Sequence, residues 1–126
     1  MPYIPALRKP LHTVIETHAF RASAKAENMS ESEIAEAVGT VSADPTAGDL
    51  IKGSGGCRKV RVARHGSGKS GGYRVVTYFL GAGREVILLA VLAKASRANF
   101  TNAEVQAMAR VTAQLKTAAK RPAPDS

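Results

Sequence analysis

The sequence predicts an α+β domain in which two leading helices and one closing helix pack on an antiparallel sheet, in the order β-α-α-β-β-β-α. Three observations predict it. Ser30 with Glu33 and Thr101 with Glu104 form capping boxes that mark helix starts near each end of the chain. Between them, at about Cys57, the hydrophobic pattern changes from helical to alternating. The apolar run from Val86 to Ala93 then closes the alternating region as a central strand closes a meander. Helices grouped before and after a meander suit an α+β sheet with its helices on one face.

At 126 residues and 44% hydrophobic, the chain holds enough apolar material for one domain with a core. Residues 1–10, with three prolines, read as an N-terminal extension, 11–121 as the single domain and 122–126 as a disordered tail. The β-branched run Thr13, Val14, Ile15 suits a first strand, after which Thr17 caps a helix carrying Phe20 and Ala24. The second helix opens at Ser30, is stapled by Met29 and Ile34, and presents Ile34, Ala37, Val38 and Val41 on one face. Asp44-Pro45 ends it, and Gly48, Gly53, Gly55 and Gly56 make a flexible approach to the next strand.

In that strand Lys59, Arg61 and Ala63 share one face, and Arg58, Val60, Val62 and Arg64 the other. A glycine-rich loop, residues 65–72, leads to a strand over residues 73–80, and Gly81 to Gly83 turn into the apolar run. The last helix is stapled by Phe100 and Val105 and buries Val105, Met108, Thr112 and Leu115.

Charge is the strongest functional signal. Residues 50–84 carry eight Lys or Arg (Lys52, Arg58, Lys59, Arg61, Arg64, Lys69, Arg74, Arg84) and no Asp or Glu, so the net charge of +8 belongs to that stretch. Solvating surfaces intersperse both signs, whereas a one-sign patch on a sheet suits a polyanion. Lys52, Arg58, Arg64, His65 and Lys69 are the candidate nucleic-acid-binding groups, with Tyr73 as the candidate base-stacking ring.

Other site classes fit poorly. The segment GSGKSG at 66–71 looks like a dinucleotide or phosphate loop, but such loops open a helix and here a strand follows. The three histidines lack metal-ligand spacing, so neither a metal nor a cofactor is expected. The single cysteine, Cys57, reads as a packed small hydrophobe and points to a reducing, cytoplasmic setting. The longest apolar run has eight residues, against about 20 for a membrane helix, so no membrane association is expected.

The run GDLIKGSGGCRKVRV at 48–62, then GKSGGYRVV at 68–76, then LLAVLAK at 88–94, resembles the RelE/HigB toxins of bacterial type II toxin–antitoxin systems, over about His12 to Leu115. The resemblance implies two leading helices against a curved antiparallel sheet. It also implies a ribosome-dependent endoribonuclease (mRNA interferase), with mRNA and the ribosome as partners and a cognate antitoxin, of helix-turn-helix type, as inhibitor. The family's basic active-site positions fall on Lys59, Arg61, Arg74 and Lys94.

Cleaving RNA through its own 2′-hydroxyl needs a proton acceptor, cations on the phosphorane and a donor to the leaving oxygen. Lys and Arg supply the cations, and Lys59 beside Arg61 is the candidate base, because neighbouring positive charge favours a neutral amine. Many relatives place a Tyr or His near the C-terminus for proton transfer; this chain has neither after Tyr78, so the base stays open. The rival readings are a ParE-like toxin that binds gyrase and cuts no RNA, and a nucleic-acid-binding module without catalysis.

Overall fold

The computed structural model describes residues 11–65, 72–93 and 99–120; the extension expected at 1–10 and the tail at 122–126 lie outside them. The elements are β1 (Val14–Glu16), α1 (His18–Ala26), α2 (Glu31–Ala43), β2 (Asp49–Leu50), β3 (Arg58–Val62), β4 (Tyr73–Phe79), β5 (Val86–Ala93) and α3 (Asn102–Ala119). Their caps form as the sequence predicts. Thr17 accepts the Phe20 N–H, and both the Ser30–Glu33 and Thr101–Glu104 boxes close reciprocally. Between α1 and α2, Asn28 takes φ of 61°, a left-handed turn that asparagine tolerates better than most residues.

One five-stranded sheet runs β1-β5-β4-β3-β2. β3–β4 and β4–β5 are antiparallel as expected, β2 adds a third antiparallel pair with β3, and β1 joins β5 in parallel, so the sheet is mixed. The two leading helices carry the chain from β1 to the far edge, and the meander returns it beside β1 running the same way. The two-residue β2 lies in the segment expected to be a flexible approach; it is too short for alternation to show.

Side-chain parity divides the sheet. Val60, Val62, Tyr73, Val75, Val86 and Leu88 face α1 and α2, packing with Phe20, Ala24, Ile34, Ala37 and Val41. Val76, Tyr78, Leu89 and Ala90 face the other way and pack with Phe100, Val105, Met108 and Leu115 of α3 and its approach. The helices therefore cover both faces, not one. The doubly apolar β5 reflects this, and a bulge that skips Leu89 in its register with β4 puts Leu89 and Ala90 on the α3 side together.

The residues between β2 and β3 seat α3. Buried Ser54 donates to the Ile51 carbonyl at 2.6 Å and accepts the Cys57 N–H at 2.9 Å, while Thr112 of α3 donates to the Ser54 carbonyl at 3.1 Å. Cys57 is fully buried, and burial pushes its thiol up against the smaller opposing effect of the Ser54 hydroxyl. It is packing material, as its sequence setting suggests. No helix among the described residues is long and apolar enough to cross a membrane.

Candidate nucleic-acid interface

Antiparallel register places the candidate catalytic cations. Arg61 of β3 is the direct partner of Arg74 of β4, and Lys59 stands two residues along β3 opposite Val76. Directly opposed residues share a face with Cα atoms about 4.5–5.5 Å apart, so the two arginine side chains leave the sheet side by side. The face is the one α3 packs on, and α3 covers Tyr78 and Val76 without burying the cations: Arg61 is exposed, and Lys59 and Arg74 are half-buried. Like charges directly opposed disfavour a sheet unless an anion joins them. Arginine is the residue type whose forked N–H donors match phosphate oxygens.

Two neighbours complete the face. Arg74 pairs on its other side with Leu92 of β5, which lines an apolar groove of about 360 Å³ between β5 and α3 with Leu89, Phe100 and Met108. The cationic row thus runs straight into an apolar trough. On the far side of Lys59, Asp49 of β2 is its register partner. Sequence reading missed Asp49 because it falls just outside the acid-free stretch; only the β2–β3 pairing brings the carboxylate to this face.

The other candidates divide by position. Lys52 is exposed in the turn after β2. Arg58 is on the opposite face from Lys59, donating to the Gly48 carbonyl at 3.0 Å. Arg64 lies over the Tyr73 ring, 5.7 Å from its centroid. His65 is held against α2, with Nε2 2.9 Å from Glu36 Oε2 and Nδ1 3.4 Å from Ser32 Oγ. These three do not join the Lys59–Arg61–Arg74 face. Tyr73 is a correction: it is 1% exposed, its ring is in the core and its hydroxyl donates to the Asn28 carbonyl at 3.3 Å, so no base can stack on it. Lys69 and Lys94 lie outside the described residues.

On the helix side, where the chain leaves β3, is a buried acid whose sequence position marks it only as a cap. Glu33 is 3% exposed; its Oε1 accepts the Ser30 N–H at 2.7 Å and its Oε2 the His65 N–H at 2.6 Å. Burial pushes the carboxyl up, but the hydrogen bonds from Ser30 and His65 together outweigh it and hold the group below the usual carboxylate range. Among the described residues no group of His, Cys, Asp and Glu is arranged to hold a metal ion.

Comparison with known proteins fits this arrangement. A family model described as the RelE toxin of the RelE/RelB toxin–antitoxin system matches residues 12–122. The chain belongs to the RelE toxin family. Among solved structures, the E. coli toxin RelE, a double arginine-to-alanine mutant in the free state, is similar at a TM-score of 0.50 and 16% identity, covering 81% of this chain and 97% of that one. At that identity the likeness shows a shared fold. Membership of the RelE family makes the chain the toxin of a toxin–antitoxin pair and implies an antitoxin partner.

Proposed function

We propose that this RelE-family toxin is a ribosome-dependent endoribonuclease that cuts mRNA by attack of a ribose 2′-hydroxyl on the adjacent phosphate, without a metal. The observation that carries the reading is the Arg61–Arg74 pair, abreast on an open face with Lys59 alongside. Attack at phosphorus builds negative charge on the non-bridging oxygens, and two neighbouring guanidinium groups that neutralise it accelerate the step. Lys59 takes the 2′-hydroxyl proton in this reading, with Asp49 as the adjacent carboxylate; as O2′ bonds to phosphorus the P–O5′ bond breaks, leaving a 2′,3′-cyclic phosphate, and the departing 5′-oxygen takes a proton from water at the exposed face, with Lys94 as a further cation. Lys52 and Lys69 contact backbone phosphates, and the antitoxin silences the toxin by covering the cationic face.

The test is induction of the chain alone in bacteria, followed by mapping of mRNA 5′ ends. Growth arrest with new 5′ ends inside translated frames supports the reading. Intact messages with gyrase trapped on DNA would establish the ParE-like alternative instead.

A further inference from the structure

We infer that Glu33 is a positioning residue for the Arg61–Arg74 pair, its carboxylate tying the N-terminus of α2 to His65 just past the end of β3. The inference rests on the nuclease reading for its effect on rate, and on the structure alone for its effect on geometry.

A capping box needs one carboxylate oxygen, and Glu33 gives Oε1 to it through the Ser30 N–H at 2.7 Å. The second oxygen does different work. Oε2 accepts the His65 N–H at 2.6 Å, across 32 residues of sequence, from a chain that has just left β3. The neighbouring strand is fastened at the same corner: Tyr73, register partner of Val62 and first residue of β4, donates its hydroxyl to the Asn28 carbonyl between α1 and α2. Both strand ends are thus anchored on the helix side, and Arg61 and Arg74 project from the opposite side one residue inside those ends. Loosening an anchor lets β3 splay from β4 where the two guanidinium groups must converge on one phosphate.

The chemistry selects a carboxylate. Two N–H donors point at the two oxygens, and only an ionised carboxylate offers each an acceptor. Glutamine keeps the size and the helix propensity but turns an NH₂ toward one donor, leaving a buried N–H opposed. The effect of Glu33→Gln on the pair should therefore exceed its effect on the fold.

The experiment compares wild type, Glu33→Gln and Ile34→Val, a core change on the same helix that lowers stability without touching the anchor. Single-turnover cleavage of mRNA on ribosomes is expected to fall on the order of 10- to 100-fold in Glu33→Gln at saturation, with half-saturating ribosome concentration unchanged, as displacements near 1 Å do. Ile34→Val should stay within about twofold of wild type at equal melting temperature. Amide hydrogen exchange supplies a readout that needs no activity: protection at Arg61, Val62 and Arg74 should drop in Glu33→Gln relative to β5, and not in Ile34→Val. Equal rates in the two variants, or unchanged exchange at those amides, would overturn the inference. A wild type that cleaves nothing would instead overturn the nuclease reading, while the exchange data still decide the role of Glu33.

Discussion

At the scale of single residues, the distinction that matters is between a positive charge and a proton acceptor. Lys59→Arg keeps the charge opposite Asp49 but removes any group able to take a proton near neutral pH. A loss on the order of 10²-fold in single-turnover cleavage is expected if Lys59 is the base, the typical size of a general-base contribution. Full activity in that variant would pass the role to Asp49, which can be checked with Asp49→Asn. Glu33 makes a separate prediction about pH. Its carboxyl is depressed in the folded state, so the ionised form contributes stability above the unfolded value near 4.3, and that contribution is lost as pH falls through the lower folded value. Thermal melts from pH 7 to pH 3 should show a steeper acid decline for wild type than for Glu33→Gln; parallel curves would remove Glu33 as a source of acid sensitivity.

Among the elements, the sequence carried local signals well and long-range pairings poorly. Thr17, Ser30 and Thr101 cap as their spacing predicts, because a capping bond closes within three residues. The parallel β1–β5 edge and the position of α3 on the second face were not legible, since neither a strand's direction nor a helix's face is written in its own periodicity. The Lys59–Arg61 face was readable from alternation alone, yet its coupling to Arg74 and Asp49 needed the register. Tyr73 misled because a tyrosine beside a glycine-rich loop looks the same in sequence whether its ring points to solvent or core.

The turn under α3 gives this scale its own prediction. Gly55 has φ of 83°, and a Cβ there would collide with the Thr112 side chain. Gly55→Ala should cost roughly 1–3 kcal/mol through backbone strain and clash, measured by urea unfolding. A neutral result would mean that α3 can shift outward without penalty.

For the whole molecule, the charge map sets encounter. The acid-free stretch supplies β3, β4 and the turn after β2, and its Lys59, Arg61 and Arg74 share one face of the sheet, while α2 brings Glu31, Glu33 and Glu36 to the other. An antitoxin that covers the cationic face should associate faster at low salt, its on-rate falling steeply as ionic strength rises from 50 to about 500 mM while dissociation changes less. A salt-indifferent on-rate would place the antitoxin elsewhere, with the apolar groove beside Leu92 as the surface to examine next.

Arg61 and Arg74, side by side on β3 and β4, are the pair on which a nuclease role for this RelE-family fold depends. The most direct measurement is single-turnover cleavage of a defined mRNA on purified ribosomes by wild type, Arg61→Ala, Arg74→Ala and the double variant. Each single change should slow cleavage roughly 10²- to 10³-fold, as loss of one preorganised charge donor does, and the double variant should lose less than the product because both groups serve one phosphate. Wild-type rates in Arg61→Ala and Arg74→Ala would contradict the account.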